Sequence, residues 1–236
     1  MIKVKWLKIT DSTNNFFKEA KEILKNSNFS AFVVVADEQT AGRGRCGRSW
    51  ISSKGGLWFT FYKEVDTAKD ALKLHFAASI SVYEVICTLF SIVPLLKWPN
   101  DVFFHNRKLC GILTEFKQKI VAVGIGININ NMVNLQTPSL YKPISLSEII
   151  GKKVNFQTFS RLFGDIVKKL NSFSSLSMEE IIRLWKSKNT VIGKRIRVHS
   201  CNIEGIVKDI LSDGSLVVET NEGVEKVIQT GDVIIV

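Results

Sequence analysis

The sequence feature that most constrains the fold is the run QTAGRGRCGRSW at residues 39–50, taken with its flanks. Its glycines have the spacing Gly42-x-Gly44-x-x-Gly47, which also occurs in dinucleotide-binding turns. In that fold a helix follows the glycines at once, and its N-terminus holds the pyrophosphate. Here residues 48–56 are rich in Ser and Gly and lead into a predicted strand at 57–62, and residues 48–61 show no helical periodicity. The run is therefore not a Rossmann fingerprint.

The same run is neither a P-loop nor a flexible RNA-binding segment. It lacks the GK[ST] end of a P-loop. A flexible RNA-binding segment would repeat its Arg-Gly unit between disordered flanks, whereas this run occurs once and joins predicted strands at residues 32–36 and 57–62. Glycine permits close backbone approach, and arginine offers a planar, permanently charged group to carboxylate or phosphate oxygens. We interpret the run as an anchored loop whose arginines bind anions.

A second polar cluster lies in KWPNDVFFHNRKLCGILTE, residues 97–115. Lys97, Asn100 and Asp101 fall at a strand end and its turn, and Lys108 begins the next predicted strand. Because the two strands would form a hairpin, Lys108 lies either near Asp101 or one strand-length away, and the sequence fits both arrangements. Asp101 is the one obvious general base or metal ligand in the cluster.

Hydrophobic periodicity along the chain predicts an α+β fold with a mixed sheet and helices. After Asn189 the pattern changes to short strands joined by Asp-Gly and Glu-Gly turns, which predicts a small β domain. We therefore expect two domains, residues 1–189 and 190–236. The elements predicted in the first are strands at 2–10, 32–36 and 57–62, a helix at 16–24 with N-cap residues Asp11, Ser12 and Thr13, a helix at 70–90, and helices at 156–170 and 177–186, the last with a capping box at Ser177 and Glu180.

The positive charge is concentrated in the predicted larger domain. The net charge is +10, but residues 193–236 hold five Lys/Arg against seven Asp/Glu, so the first 192 residues carry +12. Such a field favours anionic partners, which include phosphate-bearing small molecules, an acidic protein or nucleic acid. Solvated surface lysines would produce the same count. The charge therefore narrows the choice of partner without deciding it.

The four cysteines, at positions 46, 87, 110 and 201, form no CxxC pair and have no histidine at ligand spacing. This predicts no zinc site, and scattered thiols are typical of a reducing compartment. The N-terminus lacks the apolar core of a signal peptide, and no uninterrupted apolar run reaches the length of a membrane span. We expect a cytoplasmic protein with no membrane partner.

Four strings together resemble the biotin protein ligase family: DSTN, QTAGRGRCGRSW, KWPND followed by RKLCGILTE, and VGIGININ. Their order and spacing match over residues 6–130. The resemblance implies a catalytic domain like that of class II synthetases and an SH3-like β-barrel as the C-terminal domain. Some members carry an N-terminal DNA-binding domain. Here the first residues already belong to the predicted catalytic sheet, so we expect the monofunctional type and no DNA partner.

The resemblance implies a two-step reaction that uses ATP and Mg²⁺. Biotin is activated to biotinyl-5′-AMP, and the biotinyl group then passes to a lysine of a biotin carboxyl carrier protein domain in a biotin-dependent carboxylase. No side-chain nucleophile is needed, and the sequence shows no Ser/His/Asp or Cys/His arrangement. A homodimer formed by sheet edges is also implied. Two alternatives are a lipoate-type acyl ligase of the same fold and a non-catalytic nucleic-acid-binding protein, which would show salt-steep affinity.

The resemblance also implies roles for individual residues. The implied catalytic residues are Arg45, Lys108 and Asp101, and Asp101 is also the candidate magnesium ligand. Cys46 departs from the family, whose members often carry a basic or bulky residue there. The implied biotin-binding residues are Ser12, Thr13, Asn14, Gln39, Gly42, Arg43, Gly44, Arg45, Lys108 and Gly111, with an apolar wall from Leu109, Gly111, Ile112 and residues 124–127. The implied ATP-binding residues are Arg45, Arg48, Trp50, Lys97, Asn100, Asp101 and Asn128.

Overall fold

The computed structural model describes residues 1–133, 141–199 and 202–236. Within those ranges the chain forms two sheets and five α-helices. The helices are α1 Phe17–Lys25, α2 Ala68–Phe90, α3 Leu146–Ile150, α4 Phe156–Phe173 and α5 Met178–Lys186. The strands are β1 Ile2–Thr10, β2 Ala31–Gln39, β3 Leu57–Glu64, β4 Leu95–Lys97, β5 Asp101–Phe104, β6 Arg107–Lys117, β7 Ile120–Ile127, β8 Arg195–Val198, β9 Ile203–Ile210, β10 Leu216–Thr220, β11 Glu225–Ile228 and β12 Val233–Ile235.

The first sheet has seven strands in the order β1-β2-β3-β7-β6-β5-β4. β1 and β2 are parallel because α1 crosses over between them, and every other pair is antiparallel. The predicted mixed sheet is therefore confirmed. In the pairing of β6 with β7, Gly111 lies opposite Gly126. Two residues without side chains are thus adjacent near the middle of the sheet.

The two faces of this sheet are covered differently. The long helix α2 packs on one face with α4 and α5, and together they bury the main hydrophobic core. On the other face α1 covers a smaller cluster that includes Phe32, Tyr62 and Ala122. Further along β7 on that second face lie Gly124 and Gly126, which line a cavity. The sheet therefore has a packed side and a side that is partly open.

Most predicted helices are confirmed, with small changes at their ends. The capping box of α5 is present, since Ser177 and Glu180 exchange backbone–side-chain hydrogen bonds. The prediction that residues 11–13 cap the first α-helix is wrong. Ser12 caps a 3₁₀ turn at Thr13–Asn15, and the N-cap of α1 has no side-chain cap. The short α3 was not predicted, because five residues are too few to display a helical period.

Helix α2 is relevant to the prediction from sequence that the protein has no membrane-spanning segment. It has 23 residues and is long and apolar enough, by length and composition alone, to cross a membrane. Charged residues interrupt its sequence at Lys69, Asp70, Lys73 and Glu84, so it is not an uninterrupted apolar run and the expectation from sequence is unchanged. Most of the helix is buried between the sheet and helices α4 and α5, as expected for the central helix of a core.

Residues 195–235 form a five-stranded antiparallel sheet in the order β11-β10-β9-β8-β12. Such a sheet is consistent with the expected SH3-like domain. It docks on the first sheet through the turn between β9 and β10, where the Trp98 indole donates to the Gly214 carbonyl over 2.8 Å. Gly214 has φ +81°, and a Cβ atom there would lie 2.5 Å from the Phe76 ring on α2. The division at residue 189 stays a prediction.

The described cysteines are free thiols, with Cys46 exposed and Cys110 buried. Cys87, on α2, is partly buried. Cys201 lies outside the described residues.

We predict that Gly214→Ala lowers the free energy of unfolding by roughly 2–4 kcal/mol, the sum of left-handed strain and overpacking against Phe76. Gly223→Ala is the matched control: its φ is +76°, but no atom lies within 4 Å of the added Cβ. It should cost about 1–2 kcal/mol through left-handed strain alone. Urea unfolding monitored by tryptophan fluorescence would measure both. Equal losses would contradict the close packing of this turn on α2.

Candidate functional site

A cavity of about 440 Å³ lies on the open side of the seven-stranded sheet. Its floor comes from β6 and β7, and its walls come from the loop after β2, the turn after β1 and residues near Asp232. Except for Gly42 and Lys97, every predicted site residue lines it. Of the predicted apolar wall, Leu109 and Ile127 are buried behind the floor and do not line the cavity.

The arginine loop is tied at its base like a hairpin. Gln39 and Ser52 are bridged, and the Trp50 amide donates to the Gly42 carbonyl over 2.8 Å. Gly42 is required there, because a Cβ atom would lie 2.4 Å from the Trp50 carbonyl oxygen. The prediction of a loop anchored at both ends is therefore confirmed.

The three arginines point to different ends of the cavity. Arg43 donates to Asn15 over 2.8 Å and lies 3.4 Å from the Glu115 carboxylate. Arg45 donates to Thr230 over 2.8 Å and to Asn100 over 3.3 Å. One loop therefore supplies a guanidinium to each of two regions.

Arg48 is held by an ion pair with a residue of the second sheet region. Its Nη2 atom lies 2.6 Å from Asp232 Oδ2 and 2.9 Å from Oδ1. Burial by itself raises the pKa of Asp232, but the hydrogen bond and the charge of Arg48 more than offset this effect, so the pKa lies below its ordinary value. Asp232 is therefore a carboxylate counterion within a cationic site.

Short polar side chains fill the end of the cavity near β1. The Gln39 amide oxygen accepts from the Thr13 backbone N–H over 2.8 Å. Thr60 Oγ1 lies 2.8 Å from Thr13 Oγ1 and 2.5 Å from Asn14 Oδ1. Ser12, Thr13 and Asn14 are almost fully buried. The side chains around Thr13 are therefore uncharged hydrogen-bonding groups, and the charged Arg43 at this end is paired with Glu115.

The floor of the cavity is shaped by glycine. A Cβ atom at Gly124 would lie 2.4 Å from Asn14 Oδ1, and one at Gly126 would lie 2.5 Å from Trp50 Nε1. The Trp50 ring thus rests directly on the sheet, with the Lys108 ammonium 5.1 Å from its centroid. Within the described residues, the buried Nε1 atom of Trp50 has no hydrogen-bond partner. The floor therefore presents an aromatic surface with an unused donor.

The position of Lys108, which the sequence left open, is settled by the hairpin. A bulge after Val102 shifts the register of β5 against β6. Lys108 Nζ lies 2.7 Å from Asp101 Oδ1 in an ion pair. Asn100 is fixed beside this pair, because its side-chain amide donates to the Ile112 carbonyl over 3.0 Å. The turn therefore places an amide, a carboxylate and an ammonium side by side.

Lys97 lies beneath the cavity and does not line it. Its ammonium is 3.3 Å from the centroid of the Tyr141 ring and 5.0 Å from that of Phe103. Burial lowers the pKa of Lys97 to about 7, and the charge of Lys108 acts in the same direction. Near neutral pH this amine is therefore only partly charged.

The chain was next compared with known proteins. Residues 6–130 match the biotin/lipoate A/B protein ligase family, and residues 191–236 match the biotin protein ligase C terminal domain. The chain belongs to the biotin protein ligase family. The predicted family, fold and enzyme class are confirmed, and a biotin ligase is favoured over both alternatives.

Individual relatives support this membership. The chain is 33% identical over 222 residues to the bifunctional ligase/repressor BirA of Bacillus subtilis, covering 89% of this chain and 68% of that protein. It is 28% identical over 217 residues to a biotin–[acetyl-CoA-carboxylase] ligase of Mycobacterium tuberculosis, covering 88% and 80%. The Aquifex aeolicus biotin protein ligase solved with biotin and ATP superposes with a TM-score of 0.78 at 32% identity, covering 98% and 97%.

Sequence reasoning missed several residues that line or support this cavity. Glu115 accepts from the Asn14 side chain over 2.9 Å, and the Tyr62 hydroxyl donates to the Thr13 carbonyl over 2.6 Å. Tyr141 donates to the Val233 carbonyl over 2.5 Å. Burial raises the pKa of Tyr141 to about 12, so it stays a neutral donor at physiological pH. The available signal was the position of Tyr62 in β3 and of Glu115 in β6, since alternate residues of a strand share one face of the sheet. That pattern does not identify their hydrogen-bond partners.

The geometry joins a neutral polar end, a flat glycine floor and a cationic end. Within the described ranges, no group of three or more His, Cys, Asp or Glu side chains is placed to hold a metal ion. Asp101 and Asp232 are the carboxylates that line the cavity. The arrangement can therefore hold and bring together two anionic groups on one extended ligand, since its cations surround a single space.

We predict that Lys97→Met changes how stability depends on pH. Between pH 7 and about pH 10 the unfolded chain keeps a lysine proton that the folded chain has lost, so the wild-type free energy of unfolding rises with pH. Without this group the rise should flatten, and the variant should be more stable than wild type at pH 6 by up to ~4 kcal/mol. Urea unfolding at pH 6, 7, 8 and 9 measures the effect.

Lys168→Met, an exposed position on α4, is the control and should keep the wild-type slope. A wild-type slope in Lys97→Met would show that the buried amine stays charged throughout this range.

Proposed function

We propose that this chain activates biotin with ATP to biotinyl-5′-AMP and then transfers the biotinyl group to a lysine of a biotin carboxyl carrier protein domain. The observation that carries the proposal is the polarity of the cavity. Neutral hydrogen-bonding groups around Thr13 lie at one end, and the cations Arg45, Arg48 and Lys108 lie at the other. Biotin has a neutral ureido ring at one end and a carboxylate at the other, which matches this arrangement.

The biotin ring would bind between the turn after β1 and the glycine floor. Ser12, Thr13, Asn14 and Gln39 offer short donors and acceptors of the kind that a ureido group needs. Gly111 and Gly124 line the floor and let the Trp50 and Asn14 side chains lie directly on the sheet beside the ring and the aliphatic tail. Arg43 would bound this end through its contacts with Asn15 and Glu115, and Gly42 and Gly44 let the loop backbone approach.

Adenylate formation would depend on positioning and charge neutralisation. A carboxylate oxygen of biotin attacks the α-phosphorus of ATP, the bond to the β-phosphate oxygen breaks, and pyrophosphate leaves. The two reacting groups are both anionic and repel each other unless cations lie between them. Arg45 and Lys108 are placed for this task, since they approach the KWPND turn through Asn100 and Asp101 respectively.

The nucleotide would occupy the cationic end. Arg48 would bind the triphosphate directly, and Lys97 would act on it only through its charge from beneath the cavity. Trp50 would flank the adenine with its unused N–H. Asn100 would hydrogen-bond to the nucleotide from the KWPND turn, and Asn128 would do so near the adenine. Mg²⁺ usually takes one or two carboxylates plus substrate phosphates, and Asp101 and Asp232 fit that donor set. When bound, the ion would neutralise phosphate charge.

In the second step the acceptor lysine amine attacks the acyl carbon and expels AMP, and Asp101 would assist by accepting a proton. The positive charge of residues 1–192 suits ATP and an acidic carrier domain, and we propose these anionic partners and no DNA partner. We further propose a cytoplasmic enzyme with domains at residues 1–189 and 190–236. A homodimer through a sheet edge would use β1, an edge strand that exposes Trp6 and Ile9.

The decisive test is pyrophosphate exchange into ATP. Radiolabelled pyrophosphate should enter ATP only when biotin, ATP and Mg²⁺ are present. Lipoate in place of biotin should support at least tenfold less exchange, because its dithiolane ring cannot use the donors and acceptors around Thr13. Exchange driven by lipoate alone would favour the acyl-ligase alternative, and no exchange with either acid would reject an adenylating enzyme.

We predict that Arg45→Gly releases the adenylate. The substitution removes the guanidinium that would clamp the two anionic groups and also breaks the loop contacts with Thr230 and Gly231. Free biotinyl-5′-AMP should then label lysines of a bystander protein such as serum albumin, at least tenfold more than with wild type. Cys46→Ser, which keeps all three arginines, should leave bystander labelling at the wild-type level. Equal labelling by Arg45→Gly and wild type would remove Arg45 from this role.

A further inference from the structure

His75 is a buried histidine on the face of α2 that packs against the sheet. Its two ring nitrogens each have a defined neighbour. Nε2 lies 3.0 Å from the Pro99 carbonyl oxygen, and Nδ1 lies 2.9 Å from Thr114 Oγ1 on β6. The histidine thus bridges the central helix, a strand of the cavity floor and the KWPND turn.

These neighbours determine which nitrogen carries the proton. A carbonyl oxygen can only accept a hydrogen bond, so Nε2 must be protonated and donate to Pro99. In a neutral ring Nδ1 then accepts from the Thr114 hydroxyl, which can donate. Both nitrogens are satisfied by one tautomer, and that tautomer aims its N–H at the turn from the side opposite the cavity.

The carbonyl that His75 holds immediately precedes two proposed site residues. Asn100 is anchored to Ile112 and approached by Arg45, and Asp101 pairs with Lys108. We propose that His75 is a positioning residue that fixes the Pro99 carbonyl, and through it Asn100 and Asp101, for adenylate formation. The inference rests on the proposed function, since it concerns the same site.

The electrostatic surroundings agree with a neutral donor. Burial lowers the pKa of His75 to about 4; the hydrogen bond to Pro99 opposes this shift, as does the charge of Asp101, and the charge of Arg45 adds to it. Arg45 and Asp101 are the charged groups whose fields reach the ring. The Nε2–H donor therefore persists unchanged over the pH range in which the enzyme would work.

Two amide substitutions separate positioning from packing. Gln reaches about as far as Nε2, so His75→Gln keeps an N–H donor for Pro99. Asn reaches about as far as Nδ1, so His75→Asn keeps a polar group for Thr114 and leaves the Pro99 carbonyl without its donor. Biotin-dependent pyrophosphate exchange gives kcat and KM for ATP, calorimetry gives the Kd for biotin, and thermal unfolding gives Tm.

We expect His75→Asn to lose on the order of 10²-fold in kcat/KM for ATP, as a displaced reacting geometry does, with the Kd for biotin unchanged. The kcat/KM for ATP of His75→Gln should stay within about threefold of the wild-type value, even if the two variants have equally lowered Tm values. Equal catalytic losses in both variants, or losses that follow Tm, would overturn the positioning role. If the wild-type protein catalyses pyrophosphate exchange and both His75 variants match it, this inference alone is rejected. If the wild-type protein catalyses no exchange, the proposed function is rejected.

A measurement on the wild-type protein covers the case in which a variant does not fold. Long-range ¹H–¹⁵N correlation spectra should show His75 as the neutral Nε2–H tautomer at pH 6. A ring protonated on Nδ1 at that pH would overturn the assignment. Such a ring is either the other neutral tautomer, in which Nε2 has no proton to donate, or a buried imidazolium cation.

Discussion

The cavity depends on counter-charges within a crowded group of cations. Arg48 pairs with Asp232 and Lys108 pairs with Asp101, at 2.6 and 2.7 Å. Without these carboxylates the positive groups would repel one another in partly buried surroundings, where the effective dielectric constant is well below that of water. Burial is the main cause of the lowered pKa of Lys97, and the positive charge of Lys108 adds to it. The two ion pairs therefore offset repulsion among the cations before any anionic ligand arrives.

Much of the fold could be predicted from the sequence because its signals are local. The alternation in β1, the long apolar period of α2 and the Ser177–Glu180 capping box each lie within one segment. The missing helix after residue 48 excluded a dinucleotide fold for the same reason. The first helix was less well predicted, because Ser12 can cap either a 3₁₀ turn or an α-helix and its tertiary contacts decide which.

The site was predictable as far as its motifs extend. The predicted site residues within the DSTN, arginine-loop and KWPND strings line the cavity, apart from Gly42 and Lys97. The side of the hairpin on which Lys108 lies depends on a bulge that no composition pattern signals. Asp232 was missed because its partner Arg48 is 184 positions away, and His75 was missed because a lone histidine in an apolar helix gives no sign of its neighbours.

The contacts between the arginine loop and residues 230–232 have a consequence for folding. No single contiguous segment of the chain can form the cavity, because its walls come from both ends and the middle of the sequence. Contacts of such large sequence separation form late, after most of the chain entropy has been lost. A chain that had formed the seven-stranded sheet alone would leave Arg48 without Asp232 and Arg45 without Thr230. Ligand binding would thus require complete folding. A partly folded chain would not form biotinyl-5′-AMP, and so could not release this reactive product.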